Sequence, residues 1–385
     1  MPILQYTFKL LTICGCWRPD SWSSLNKRIA YYIYSVIIVL SMYTFMLTQL
    51  MDMILIVDNA DDFSDNFFIL IAMFLTCCKV LVVLVNRNNI VKLIDILMEK
   101  PCRPIRSSEI KILYKFDKNI QINTQRFVYL GLVTFLCILL SSLSTNFRNK
   151  KLTYRAWLPF DYSSTLLFFL TYTHQMVGLL TAAFLSIGCD TLICGLLVHI
   201  CCQIEILLYR LRKIISYSDI FRDCVRQHHR ICRLALIVNA KFRLTITMQF
   251  IISTLVVCFS LYQINKTTRK DKYVEMILYM ACMLTQIFFY CWYGNELKIK
   301  SHQMIDNIFG MEWLSLDKDK KQSLMIIMRR TLVPIQITCA YIFPMNLSSF
   351  MSVSINVIKT DAAKIFFFFF PDIIEYTLME GFTIN

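Results

Sequence analysis

Long apolar stretches separated by short polar segments dominate the pattern along the chain. A helix that crosses a membrane needs about 20 mostly apolar residues, because hydrocarbon offers no partner to an unpaired backbone group. The sequence predicts seven such spans: Ile29–Met51, Phe67–Val85, Phe127–Thr145, Leu166–Ile187, Leu244–Ile264, Val274–Trp292 and Leu332–Ile358. The fold class that follows is an all-α, polytopic membrane protein.

The seventh span and the segments between spans add detail to this architecture. Pro334 and Pro344 interrupt the seventh span, so we predict a short piece followed by a helix over Pro344–Ile358. Ile200–Ile215 continues the fourth span in a helical pattern, and the stretches before the fifth and seventh spans also look helical. We expect helices four to seven to extend beyond the membrane and to pack together there.

Composition supports a membrane protein. Of the 385 residues, 57% are apolar and 17% are charged, whereas soluble domains average about 45–50% and about 25%. This excess excludes a disordered chain and most soluble enzymes. The residues that could carry catalysis or bind a metal form no recognisable arrangement, and we expect no cofactor and no nucleic-acid partner.

The net charge of +14 has a topological explanation. The segments on one side of the predicted spans hold 29 Lys and Arg residues, and those on the other side hold eight. Because positive residues stay cytoplasmic, we predict a cytoplasmic N-terminus and an extracellular C-terminus. A heptahelical receptor that signals through a G protein has the opposite orientation.

Lys79 and Asp190 are ionisable residues in or beside the predicted spans. Lys79 is near the inner end of the second span, where its long side chain can reach water. Asp190 is at the inner end of the fourth span, where we expect it to cap the helix or to pair with a cytoplasmic arginine.

Several motifs resemble the insect odorant receptor family. Tyr290-Cys-Trp-Tyr-Gly-Asn-Glu-Leu297 and Phe343-Pro344-Met345-Asn346-Leu347 match the order and spacing of its sixth and seventh spans. Gly15-Cys16-Trp17-Arg18-Pro19 resembles the motif before its first span, and Asp190-Thr191-Leu192 resembles the exit of its fourth. The motif typical of the gustatory branch does not occur in the sequence.

The resemblance implies a ligand-gated, poorly selective cation channel of four subunits in the plasma membrane of olfactory neurons. Seventh spans line its pore, and a small volatile odorant binds among spans two, three, four and six. Such a receptor works with an obligate co-receptor, which has a long insertion between spans four and five. The present chain has only 54 residues there (Asp190–Arg243), so it resembles a tuning subunit.

The predicted odorant site combines apolar and aromatic residues in the outer halves of four spans. Its candidates are Phe68, Met73, Leu140, Phe169, Tyr172, Met176, Met276 and Tyr279. Tyr172 and Tyr279 are the stronger candidates, because a hydroxyl in an apolar pocket can orient a ligand oxygen. The alternative role of each of the eight is packing or contact with lipid.

The predicted pore wall is a polar stripe in the seventh span. Ser349, Ser352 and Asn356 fall within about 60° of arc on a helix. Uncharged hydroxyls and amides suit weak selectivity among cations, although polar contacts between packed helices are the alternative. Asn265-Lys-Thr267 is a glycosylation sequon in a predicted outer loop.

These predictions describe one seven-helix domain over residues 1–385. It comprises an N-terminal segment (1–28), six spans (29–292), a cytoplasmic segment (293–331), the broken pore helix (332–358) and a tail (359–385). The tail departs from the family pattern with a run of five phenylalanines, Phe366–Phe370. Three alternatives stay open at this point: a G-protein-coupled receptor, a transporter and a gustatory-type channel.

Overall fold

The structure, a computed structural model, describes residues 3–19, 21–57, 60–213, 221–266, 270–311, 313, 316–340, 343–348 and 350. Its elements are α1 (Gln5–Ile13), α2 (Leu25–Leu55), α3 (Ala60–Val85), α4 (Arg87–Met98), α5 (Ser107–Thr145), a 3₁₀ turn (Phe147–Asn149), α6 (Thr165–Arg212), α7 (Phe221–Lys266), α8 (Lys270–Phe309), α9 (Lys318–Thr331), β1 (Thr338–Cys339) and β2 (Phe343–Pro344).

Six helices in the described ranges are long and apolar enough to cross a membrane. They are α2, α3, α5, α6, α7 and α8, and they contain the first six predicted spans. The prediction of an all-α, polytopic membrane protein is therefore confirmed.

The central element is α6, which has 48 residues. At 1.5 Å per residue it is roughly 72 Å long, more than twice the hydrocarbon thickness of about 30 Å. Every residue from Leu185 to Ile204 is buried, because α1, α2, α3, α5, α7 and α8 all pack against this helix. The predicted extension of the fourth span is thus confirmed as far as Arg212.

Small residues on α6 let the N-terminal helix approach closely. A Cβ added at Gly188 would lie 2.7 Å from Cδ2 of Leu11, and one added at Gly195 would overlap Leu4. Both leucines are buried. The apolar face of α1 is thereby accommodated on α6, as expected for an amphipathic segment that packs on a helix bundle.

Arg210, near the C-terminal end of α6, uses all of its hydrogen-bond donors and connects this end of the helix to neighbouring segments. Arg210 donates from Nε to Glu109 Oε1 (3.0 Å), from Nη1 to Gln227 Oε1 (2.8 Å) and to the Pro101 carbonyl, and from Nη2 to Glu109 Oε2 (2.7 Å) and the Arg103 carbonyl (2.9 Å). A guanidinium has five N–H donors, and all five are used here. We name Pro101, Arg103, Glu109, Arg210 and Gln227 the Arg210 cluster.

The structure corrects the first part of the predicted seventh span. The predicted helical stretch before this span is confirmed as α9, but residues 332–340 and 343–346 are not helical, and β1 pairs with β2 in an antiparallel arrangement. Pro334 cannot continue a helix, and the β-branched residues that follow it favour an extended chain. Helical conformation resumes at Leu347, and residues 351–358 lie outside the described ranges.

The strand pair β1–β2 is followed by a segment that packs tightly against α8. A Cβ added at Gly294 would lie 2.7 Å from the carbonyl oxygen of Met345. The rings of Phe288 and Phe350 meet edge to face with centroids 5.3 Å apart. Glycine at position 294 therefore permits this close approach, and α8 directly supports the beginning of the last apolar segment.

Candidate functional site

An internal cavity of about 260 Å³ lies in the half of the bundle that contains the C-terminal end of α5 and the N-terminal end of α8. Its walls come mainly from α3, α5, α6 and α8, and α7 contributes Ile252 and Gln263. The loop before α6 closes it with Thr153, Tyr154 and Arg155. This volume is slightly below the range of about 300–1,000 Å³ typical of drug-sized ligands, so the cavity suits a smaller organic molecule.

Apolar and aromatic side chains form most of the wall. Members of this set include Phe68, Ile69, Met73, Phe127, Phe135, Ile138, Leu179, Ile187, Met276 and Met283. Phe68 meets the ring of Tyr279 edge to face, with centroids 5.7 Å apart. Burial of an apolar ligand here would contribute about 25 cal/mol per Å² of apolar surface removed from water.

Four of the eight predicted ligand residues line this cavity: Phe68, Met73, Met276 and Tyr279. They come from α3 and α8. These helices contain the second and sixth predicted spans, two of the four spans among which the odorant site is predicted.

The structure does not bring the other four into the cavity. Leu140 and Phe169 are 65% and 53% exposed on the outer surface of the bundle. Tyr172 and Met176 are buried in a separate cluster with Phe168. The cavity-facing part of α6 begins further along the chain, at Leu179. Because α6 has apolar residues on all sides, its sequence does not indicate which of them face the cavity.

Two tyrosine hydroxyls at the cavity are enclosed by protein. Neither Tyr154 Oη nor Tyr279 Oη has a hydrogen-bond partner among the described residues. Gln175 fixes the backbone of Tyr154, since its Nε2 donates to the Tyr154 carbonyl at 3.0 Å. Burial raises the pKa of Tyr154. A buried hydroxyl left without a partner costs about 1–3 kcal/mol.

A buried polar network forms the inner floor of the cavity. Ser186 and Gln286 line the cavity, and Gln286 Nε2 donates to Ser186 Oγ at 3.2 Å. Lys79 Nζ donates to the same Ser186 oxygen at 3.1 Å and lies 2.7 Å from Asp190 Oδ1. The Tyr290 hydroxyl donates to Asp190 Oδ1 at 2.8 Å. The network thereby joins α3, α6 and α8 directly below the cavity.

Two sequence predictions are wrong at this network. Lys79 does not extend to water, because its side chain is completely buried against Asp190. Asp190 pairs with Lys79 and Tyr290 instead of capping its helix or binding a cytoplasmic arginine. Each charge compensates the other in a place where an isolated one would be severely destabilising.

The opposite end of the cavity is polar and charged. Asn66 donates from Nδ2 to Asp52 Oδ2 at 3.2 Å and to the Gln49 carbonyl at 3.3 Å. Arg155 Nε lies 3.5 Å from the same Asp52 oxygen. Glu275, on the first turns of α8, also borders this end. The arrangement is that of a hydrophobic chamber with polar groups at both ends, as in many sites for small organic ligands.

The family model described as 7tm Odorant receptor matches residues 59–357, which include the cavity, the network and the strand pair. The chain belongs to the odorant receptor family. Its six described helices that are long and apolar enough to cross a membrane agree with a multi-pass membrane protein of this family.

Curated relatives include odorant receptors of Drosophila melanogaster. Odorant receptor 94a is 27% identical over 210 residues, which cover 52% of this chain and 54% of that relative. Odorant receptor 22b is 28% identical over 166 residues, covering 41% of each. The chain thus spans about half the length of the curated relatives that it matches.

Solved structures are similar in fold to nearly the whole of the present chain. The insect olfactory receptor OR5 from Machilis hrabei superposes with a TM-score of 0.82 at 17% identity, covering 94% of this chain and 97% of that one. The same receptor in complex with eugenol superposes with a TM-score of 0.81 at 16% identity, covering 97% of each. The overall fold of the chain is therefore similar to that of a solved insect olfactory receptor.

The sequence did not identify several lining residues of this odorant receptor. On α5 a stripe of small and polar residues faces the cavity at helical spacing, with Gly131, Thr134, Ser141, Ser142 and Thr145 among its members. Small and polar residues recurring every three or four positions in an apolar span could have indicated this face. Tyr154, by contrast, lies in a loop whose pattern gives no comparable signal.

The predicted pore residues of this odorant receptor lie outside the described residues. Ser349, Ser352 and Asn356 therefore stay predictions, as does the tail over residues 359–385. Asn265 is exposed near the C-terminal end of α7, and its modification likewise stays a prediction.

Proposed function

We propose that this receptor is the tuning subunit of a heteromeric, ligand-gated, non-selective cation channel, opened by a small volatile odorant that binds in the cavity. The observation that carries the proposal is the mostly apolar cavity with a few polar groups, in a chain of the odorant receptor family. Phe68, Met73, Met276 and Tyr279 are the proposed contacts of the odorant.

The position of α8 supports a route from the odorant to the pore. One helix carries Met276 and Tyr279 at the cavity, Tyr290 in the buried network, and Gly294 against Met345. An odorant can bias the channel only if it binds the open arrangement more tightly than the closed one. A small displacement of α8 that improves the fit around the odorant would reach the beginning of the seventh span directly.

The pore itself is proposed from sequence. Ser349, Ser352 and Asn356 line it, and their uncharged oxygens select weakly among small cations. The N-terminus is cytoplasmic and the C-terminus extracellular, as the distribution of basic residues requires. The partner is the co-receptor subunit of the family, and the assembly resides in the plasma membrane of olfactory neurons.

Co-expression with the co-receptor in cultured cells, followed by application of volatile compounds, tests this function. We expect an inward cation current that starts within milliseconds of odorant delivery and persists without cytosolic nucleotide. Cells that express the co-receptor alone provide the control for each compound. Silence across a broad panel, with normal delivery of both subunits to the surface, would contradict channel function.

A topology measurement separates this channel from a receptor that signals through a G protein. Epitope tags at both ends of the chain are read on intact cells and again after permeabilisation. We expect the C-terminal tag to be accessible on intact cells and the N-terminal tag only after permeabilisation. The reverse pattern would support the G-protein alternative.

A further inference from the structure

The cavity wall contains a glycine at a position where a helix would favour alanine. Gly131 lines the cavity and is buried in the interior of α5, a helix of 39 residues. Its backbone is helical, so no left-handed conformation requires a glycine there. Glycine disfavours a helix relative to alanine, because its backbone loses more freedom on folding. The residue therefore indicates a need for space at this point of the wall.

The side chain of Ile187, on α6, uses that space. A Cβ added at Gly131 would lie 2.8 Å from Cδ1 of Ile187. Apart from the adjoining part of α5, no other heavy atom of the described residues lies within 4 Å of this added carbon. Non-bonded carbons pack at about 3.5–4.0 Å, so the methyl group of Ile187 would have to move. At present it occupies a notch in the wall formed by α5.

The open space next to this methyl group is the cavity. Ile187 is 3% exposed and belongs to the stretch Leu185–Ile204, in which every residue is buried. Protein interiors are packed as closely as organic crystals, so the other sides of Ile187 offer no room. The χ1 angle of isoleucine is nearly fixed in a helix, and Cδ1 therefore moves mainly by rotation about χ2. Because Gly131, Ser186 and Ile187 all line the cavity, this rotation would bring the methyl group into its inner part.

We propose that Gly131 and Ile187 together set the size limit of the odorant: Gly131 provides the notch that keeps the Cδ1 methyl group of Ile187 out of the cavity. The inference rests on the proposed function of the cavity and adds a pair of specificity-determining residues to it. A small odorant would fill much of a cavity of about 260 Å³. A methyl group that rotates into this space should therefore exclude about one methyl group of the ligand.

Binding of alkylbenzenes to the purified complex of this receptor with its co-receptor, in lipid nanodiscs, tests the size limit without depending on current. The probes are benzene and its n-alkyl derivatives from toluene to octylbenzene, which share one ring and carry no hydrogen-bonding group. Affinity is taken from the concentration dependence of thermal stabilisation. For the wild-type complex we expect affinity to rise about fourfold with each added carbon until the cavity is full, and then to fall. The probe of highest affinity is named the optimal probe.

Two substitutions should move the optimum in opposite directions. Gly131→Ala should make the optimal probe about one carbon shorter and weaken binding of the wild-type optimal probe about tenfold, while benzene binding changes by less than about twofold. Ile187→Val removes the Cδ1 methyl group itself and should make the optimal probe about one carbon longer. The double variant Gly131→Ala/Ile187→Val fills the notch but lacks the methyl group that would be displaced. It should restore the wild-type optimum.

Gly188→Ala is the matched control, because it places a new methyl group next to Ile187 on the same helix. The added Cβ would lie 2.7 Å from Cδ2 of Leu11, and neither Gly188 nor Leu11 lines the cavity. The substitution creates a similar close contact between α6 and α1, away from the ligand. It should leave the order of probe affinities unchanged, whatever its effect on the melting temperature.

The results that would overturn the size limit are specific. They are an unchanged optimum in both single variants, an equal loss of affinity for every probe in Gly131→Ala, and a double variant that binds no better than Gly131→Ala. If Gly131→Ala does not fold, the longer optimum expected for Ile187→Val still decides, since Ile187→Val only removes a methyl group.

The size limit and the proposed channel function can fail separately. If the optimum shifts as expected but no odorant evokes a current, the channel function fails and the size limit stands. If an odorant opens the channel but the optimum is the same in the wild type, Gly131→Ala and Ile187→Val, the size limit is overturned and the channel function stands.

Discussion

The cavity and the Arg210 cluster lie in one helix bundle, and they differ in how completely their polar groups are hydrogen-bonded. Arg210 and Ile187, which lines the cavity, are separated by 23 positions along α6, or roughly 35 Å. In the Arg210 cluster every guanidinium donor is used. At the cavity two tyrosine hydroxyls are left without partners among the described residues.

The difference distinguishes a structural role from a binding role. Completely satisfied buried charges hold helices together in one arrangement, whereas unpartnered groups in a hollow region reduce stability unless a ligand satisfies them. Natural proteins tolerate such local instability where function requires it. Substitutions in the two regions should therefore affect different quantities, stability in one and odorant potency in the other.

The largest effect is expected from Arg210→Ala. The substitution leaves the Glu109 carboxylate buried without its partner, which should reduce stability by about 3–5 kcal/mol and abolish delivery to the cell surface. Surface labelling and the melting temperature of the purified protein measure this. The matched control is Arg212→Ala, because Arg212 is exposed two residues further along the same helix; it should change stability by less than about 1 kcal/mol. Similar effects of both substitutions would contradict the role of the cluster.

Lys79→Met should be nearly as disruptive, at about 3 kcal/mol, because Asp190 would lose its charged partner in a completely buried site. The double variant Lys79→Met/Asp190→Asn removes both charges and should recover most of the lost stability. Melting temperatures of the two single variants and the double variant provide the coupling energy. Additive effects would indicate that the two side chains do not interact as the structure shows.

Filling the cavity should alter odorant potency more than stability. Ala183 lines the cavity, and Ala183→Leu should reduce potency at least tenfold while stability changes by less than about 1 kcal/mol, since there is space for the larger side chain. Dose–response curves and melting curves together measure this. Ala30→Leu, at an exposed position on α2, should change neither quantity. Unaltered potency in the cavity variant would place the odorant elsewhere.

The smallest effects are expected at the predicted ligand residues that the structure places on the outer surface. Leu140→Ala and Phe169→Ala should change odorant potency by less than about twofold and stability by less than about 0.5 kcal/mol, as exposed positions generally do. Dose–response curves decide between the sequence-based assignment and the structure. A tenfold loss of potency at either position would favour the former.

Local patterns along the chain are sufficient to predict part of the structure. The first six spans follow from apolar length, and Phe68, Met73, Met276 and Tyr279 follow from aromatic and apolar residues at the correct depth. The phase of α6 could not be predicted, because apolar residues occur on its exposed side, as at Phe169, as well as on its buried side, so the helix has no amphipathic pattern. Tyr172 was therefore placed in the cavity, although its hydroxyl donates to Ser142 Oγ at 3.0 Å behind the wall.

Long-range pairing accounts for the remaining errors. Lys79 and Asp190 are 111 residues apart in the chain, and each side chain taken alone resembles a residue at a membrane boundary. Their contact depends on the packing of α3 against α6, which neither local pattern encodes. The strand pair after Pro334 was missed for a similar reason, because its strands are only two residues long and pair in the context of α7 and α8.

The decisive measurement is a structure of the complex with a bound activating odorant. We expect density for the odorant between α3, α5, α6 and α8, in contact with Met276 and Tyr279. Density at the outer surface beside Leu140 and Phe169, with the cavity free of odorant, would contradict it.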